Sequence, residues 1–202
     1  MKPFVVKINQ KHYEKLAEMF HANMPPSLKK GLPNDASSWI DDKKNPVYHT
    51  FNHLVFCLLV RYSSLSGGQQ LQDLRGGGMQ GAIHSQVFDV LETQSRHVME
   101  CFASPLNAYT RHFCSVFHRD LDHHFGSVGD FFSIPIGFFA RNGQIHEANP
   151  PFAPGLMCAM VKRIEEHLKF ADVHAEKNMD ENCKSGHLTF FVIVWLSLQQ
   201  TA

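Results

Sequence analysis

The second half of the chain alternates short apolar runs with helical spacings, and that order admits few folds. Val98 to Phe102 reads as a strand, and Leu106 to Phe117 as a helix on the spacing of Leu106, Tyr109, Phe113 and Val116. Phe131 to Phe139 reads as a strand region broken by Pro135 and Gly137, and Ile145 to Ala148 as a further strand. A helix follows over Gly155 to Phe170, with Leu156, Met160, Ile164 and Leu168 at a spacing of four, and a last strand over Thr189 to Leu196. Strands separated by helical crossovers predict an α/β fold with a parallel sheet. Of the 202 residues, 44% are hydrophobic, enough to give such a sheet a core and to exclude disorder as the dominant state. The longest apolar run, Leu188 to Leu198, has 11 residues against the ~20 a membrane helix needs, so it is read as buried strand.

The first half predicts helices. Val5, Ile8, Leu16, Met19 and Phe20 suit a short entry followed by an amphipathic helix that stops at Met24-Pro25-Pro26. Pro25 to Pro46 reads as a surface connection. Tyr48 to Leu65 reads as a helix apolar around most of its circumference and buried on several sides. The glycines from Gly67 to Gly81 lack the Lys-Ser/Thr ending of a phosphate loop and read as a connection between helices. Ser85 is the expected N-cap of a helix through QVFDVLETQ that ends near His97. The expected division is a helical region over 1–85 and an α/β core over 86–202.

Charge and cysteine usage exclude several classes. Nineteen basic and nineteen acidic residues cancel, so any nucleic acid must be held by a local site rather than a global field. Five cysteines with no Cys-x-x-Cys pair, and no secretory signal, suit a soluble protein in a reducing compartment with no membrane partner. His49 and His53 have the i, i+4 spacing of metal ligands, but without a Glu in an HExxH pattern no metal is expected.

The chemistry concentrates at Asn149-Pro150-Pro151-Phe152, where a strand ends and a helix begins. Two prolines stiffen the turn and hold the Asn149 amide above the carboxyl edge of the sheet, where open α/β folds bind ligands. The Asn149 and Pro150 carbonyls can accept the two hydrogens of an exocyclic purine amine while Phe152 stacks on the ring. The alternative is a plain strand-to-helix turn with Phe152 in the core. One crossover upstream, Glu100 to Asn107 (ECFASPLN) end the first strand, with small residues that admit a cofactor and an acid, Glu100, that can meet its amino or hydroxyl group; taken alone, ASPLN reads as a helix entry rather than a binding loop. No Gly-x-Gly-x-x-Gly fingerprint is present.

ECFASPLNAY, FGSVGDFF and EANPPF, in this order, closely resemble the methyltransferase region of the phosphorylated CTD-interacting factor family, the cap-specific mRNA (2′-O-methyladenosine-N6) methyltransferases. The resemblance implies a Rossmann-like core, S-adenosyl-L-methionine as cofactor, and methylation of N6 on the adenosine next to the cap of nuclear mRNA. Asn149, Pro150, Pro151 and Phe152 would be catalytic. Glu100, Phe102, Ala103, Ser104, Pro105 and Asn107, then Asp120 or Asp122, and Phe125, Gly126 and Ser127 would face the cofactor. Family members continue past the strand ending near Val194 and carry a WW module for the phosphorylated RNA polymerase II tail. The sequence is therefore expected to hold an incomplete core without the WW module and to have weak activity by itself. The alternatives are a noncatalytic RNA- or cofactor-binding fragment, or an adenine methyltransferase on another nucleic acid.

Overall fold

Helix α1 (Gln10–Asn23) begins where the Asn9 side chain accepts the His12 amide at 2.8 Å, and it buries the stripe Leu16, Ala17 and Phe20. The computed structural model describes residues 5–32, 35–65, 83–95, 97–139, 145–177 and 189–192. A single turn, α2 (Pro26–Lys29), and a 3-10 turn at Ala36–Ser38 follow. The stretch read as surface connection thus carries structure, and its Trp39 is fully buried. The indole Nε1 of Trp39 donates to His21 Nδ1 at 3.1 Å, which satisfies the one polar atom that burying Trp would strand.

Helix α3 (Pro46–Leu65) starts at Asn45, whose side chain accepts the Val47 amide at 2.9 Å. Its buried residues Phe51, Val55, Leu58 and Leu59 form one stripe, and Phe56 and Val60 are exposed. The expectation of burial on several sides is corrected: the apolar excess lies partly on a solvent face. Helix α4 (Ser85–Gln94) is capped by His84 rather than Ser85, the imidazole Nδ1 accepting the Gln86 amide. The glycine segment from Gly67 to Gly81 lies outside the described residues.

Among the described residues, five strands form one parallel sheet: β1 (Val98–Glu100), β2 (Phe113–Cys114), β3 (Ser127–Gly129), β4 (Ile145–Ala148) and β5 (Thr189–Val192), in the order β3-β2-β1-β4-β5. Helix α5 (Pro154–Lys177) connects β4 to β5. The α/β fold with a parallel sheet is as expected, with two corrections. Residues 106–117 are not a helix but turns and bends leading into β2 and a further turn after it, because the amides of Tyr109 and Thr110 both go to the Glu100 carboxylate. Phe131 to Phe139 is a series of turns, with the Asp130 carbonyl accepting the Ser133 and Ile134 amides, and the strand lies just upstream as β3.

Two buried clusters frame the sheet. In one, Phe20, Trp39 and Phe51 meet at ring separations of 5.3–5.9 Å. Phe125 joins them at 6.1 Å from Phe20, on a one-turn 3-10 helix (Asp122–Phe125) between β2 and β3. In the other, Met160 and Ile164 of α5 pack with Met99, Cys101, Cys114, Phe131, Phe139 and Ala148. Phe125 and the Lys15 bond to the Ala108 carbonyl at 2.6 Å tie the helical region directly to the sheet region.

Candidate functional site

Chain order reverses between β1 and β4, which run side by side with Glu100 in register with Glu147. The Cys101 amide donates to the Glu147 carbonyl at 2.7 Å, so the segments leaving these two strands emerge together at the carboxyl edge. A reversal of this kind opens the crevice in which open α/β sheets hold ligands. It brings together two blocks separated in sequence, Phe102 to Asn107 and Asn149 to Phe152.

Asn149 is the first residue past β4 and is buried, as is Pro150, whereas Pro151 and Phe152 are half-buried. The Ala153 amide donates to the Pro151 carbonyl at 2.7 Å, and α5 begins one residue later, so the turn from strand to helix is short and closed. The upstream block is also tied to itself. Ser104 donates from both its amide and its hydroxyl to Asn107 Oδ1 at 2.7 Å, and the Ser104 carbonyl accepts the Asn107 and Ala108 amides. Pro105 inside this turn is buried, the Ala103 amide donates to the Cys114 carbonyl, and Phe102 lies 4.8 Å from the Phe131 ring. Glu100 Oε2 accepts from the Tyr109 amide, the Thr110 amide and the Thr110 hydroxyl at 2.7–2.9 Å. That oxygen holds the loop after β1. Burial raises the Glu100 carboxyl above its ordinary range, and these bonds and Lys15 offset part of the rise.

Farther along the same edge, beyond β2 and β3, a cavity of about 480 Å³ is lined by Phe117, His118, Asp120, Val128, Asp130 and Ile134 among others. Asp120 lines this cavity, whereas Asp122 is fully buried and accepts the Tyr62 hydroxyl at 2.6 Å. Phe125 lies in the helical core. Gly126 has φ 103°, and a Cβ there would meet the Arg111 carbonyl oxygen at 2.6 Å. Ser127 is buried and accepts the Ser115 hydroxyl at 2.7 Å. Of the FGSVGD block, Val128, Gly129 and Asp130 line the cavity and sequence reasoning singled out none of them; Asp130 is the one that brings a carboxylate. Its readable signal is an acid immediately after a short strand.

Glu147 was also not singled out. Its Oε1 is buried without a hydrogen-bond partner, and burial together with Glu100 pushes its carboxyl up to about 8. On the same strand, His146 is buried 4.7 Å from Phe139, whose ring is equally close to the buried His167 of α5. Burial, the first cause for each imidazole, brings both down to about 4. A depressed histidine contributes stability present above its ordinary 6.5 and lost as pH falls through 4, while a raised carboxyl contributes stability present below 4.5 and lost as pH rises through 8. The two histidines outweigh the one carboxyl below pH 6.5, so these three groups place maximal stability near pH 6.5. Glu147→Gln is expected to exceed the native chain in stability by an amount that grows from pH 4.5 to 8 and reaches at least about 1.4 kcal/mol. Urea unfolding across that range measures it, and a pH-independent difference refutes it.

Among the described residues, no group of three or more His, Cys, Asp or Glu is placed to hold a metal ion, and no helix is long and apolar enough to cross a membrane. The family model described as "Phosphorylated CTD interacting factor 1 WW domain" matches residues 10–200. The chain belongs to this family. It is 41% identical over 132 residues to the human "mRNA (2'-O-methyladenosine-N(6)-)-methyltransferase" and 39% identical to the mouse protein of the same name. Each alignment takes in 65% of this chain and 17% of the relative, so the matched stretch is a small part of those relatives' length. The family's description names a WW domain over nearly all of the chain, at odds with the expectation that the WW module is missing. Within that range the described residues form helices and one parallel sheet.

Proposed function

We propose that this chain forms part of an S-adenosyl-L-methionine-dependent adenine-N6 methyltransferase of Rossmann-like fold, acting on the cap-adjacent 2′-O-methyladenosine of mRNA. The observation that carries the reading is the placement of Asn149-Pro150-Pro151-Phe152 at the reversal of strand order, beside the turn formed by Ser104 and Asn107. The names of the relatives supply the substrate class. Capped mRNA, the phosphorylated polymerase tail and a nuclear location belong to the same proposal.

The chain's own part is orientation. The Asn149 and Pro150 carbonyls accept the two amine hydrogens of the target adenine and so aim the nitrogen lone pair, while the half-buried Phe152 ring fixes the plane of the base. Carbonyl dipoles held by two prolines need no reorganisation as charge develops on the amine. The donor set at the β2 and β3 edge fits the nucleoside end of the cofactor: the carboxylates of Asp120 and Asp130 suit hydroxyl and amine hydrogens, and Val128 and Ile134 offer apolar walls. When bound, S-adenosyl-L-methionine supplies the electrophilic methyl group.

Methyl transfer from labelled S-adenosyl-L-methionine to capped RNA beginning with 2′-O-methyladenosine tests the reading, with uncapped RNA and single-stranded DNA alongside. Incorporation into the capped RNA alone is expected. Equal incorporation into all three refutes the cap-specific substrate, and incorporation into none refutes the activity for this chain.

A further inference from the structure

We propose that Arg61 and Tyr62, neighbours near the C-terminal end of α3, are positioning residues for the cofactor. They fix the segment from Phe117 to Asp122 that forms one wall of the cavity at the carboxyl edge of β2 and β3. The inference rests on the reading of that cavity as the nucleoside end of the S-adenosyl-L-methionine site.

The segment is gripped at three of its six residues. Arg61 Nη1 pairs with Asp120 Oδ2 at 2.8 Å, and its guanidinium lies 5.1 Å from the centre of the Phe117 ring. Tyr62 meets the same ring edge-on at 5.2 Å and donates its hydroxyl to Asp122 Oδ2 at 2.6 Å. Within the segment, the amides of Asp120, Leu121 and Asp122 all point to the Phe117 carbonyl at 3.1–3.2 Å, so the turn pivots on Phe117. Phe117 and Asp120 line the cavity, but Arg61 and Tyr62 do not. Their action on a ligand is therefore indirect.

A half-exposed ion pair is worth little alone. Here the same guanidinium also covers an aromatic face, and the adjacent tyrosine anchors a fully buried carboxylate. The four contacts fix the Phe117 ring and the Asp120 carboxylate together, and a ligand would otherwise have to order both on binding. By this route the helical region, none of whose described residues lines the cavity, sets how well the cavity is formed.

Titration calorimetry with S-adenosylhomocysteine, on the native chain and on Arg61→Ala, Arg61→Lys, Tyr62→Phe and Asp130→Ala, tests the inference. Arg61→Ala is expected to bind about tenfold more weakly, with Arg61→Lys recovering part of the loss through the charge pair. In the transfer assay Arg61→Ala is expected to raise the KM for S-adenosyl-L-methionine while the KM for RNA stays put, a split that a general loss of folding would not produce. Tyr62→Phe is expected to change in the same direction. If the native chain binds, Asp130→Ala weakens it, and Arg61→Ala and Tyr62→Phe bind as the native chain does, the positioning role is overturned and the cavity reading stands. If the native chain does not bind, or Asp130→Ala leaves its binding unchanged, the cavity reading falls and this inference falls with it.

Discussion

Methyl transfer is expected to fall by about 10²–10³-fold when Asn149 is replaced by alanine, with little change in the affinity for S-adenosylhomocysteine. In the proposed reaction the Asn149 side-chain carbonyl is one of two acceptors that aim the amine, the other being the Pro150 backbone carbonyl. Asn149 stands immediately past β4 and is followed by two prolines, so the backbone turn is set by the prolines and the closing bond from Ala153 to Pro151, and it survives the substitution. The loss should therefore appear in kcat and not in folding. Asn149→Asp restores one acceptor but removes the amide donor, and it is expected to recover only part of the rate. Single-turnover rates on capped RNA check both variants. A rate for Asn149→Ala within threefold of the native chain would remove Asn149 from the chemistry.

Phe125→Ala is expected to cost about 3–5 kcal/mol of unfolding free energy. Phe125 is fully buried between β2 and β3 and reaches Phe20 of α1, so truncating it opens a void at the junction of the helical region and the sheet region. The loss corresponds to a melting temperature lower by roughly 6–20 °C for a domain of this size. Phe125→Leu, which keeps most of the volume, is expected to retain most of the stability. Denaturant unfolding distinguishes this core role from direct ligand contact. A Phe125→Ala protein of native stability but weakened cofactor binding would return Phe125 to the cofactor side.

Local pattern was enough for α1, α3, α4, α5, β1, β4 and the start of β5, because each is marked by its own apolar pattern, and α1, α3, α5 and β4 also by Pro or Asn at an end. It failed between Leu106 and Phe117. The apolar spacing there suits a helix, yet Tyr109 and Val116 are exposed, and the Tyr109 and Thr110 amides that a helix would use are held by the Glu100 carboxylate. Glu100 lies nine and ten residues away from its partners, beyond the reach of a pattern read along the chain. The same limit applies to the two aspartates offered as alternatives for the cofactor's carboxylate. Asp120 and Asp122 are two residues apart in sequence, but one lines the cavity and the other is sealed under Tyr62 of α3, sixty positions upstream.

The sequence by itself determined the character of two short segments: a rigid Asn-Pro-Pro-Phe turn after a strand, and a turn of small residues after another. Stiffness and residue type are local properties, so both were legible. Only the tertiary structure decided that β1 and β4 are neighbours, which sets the two turns at one edge, and that Asp120 and Asp130 share a cavity. Strand order follows from how the whole set of apolar faces is buried, and the contacts that settle it join residues far apart in the chain.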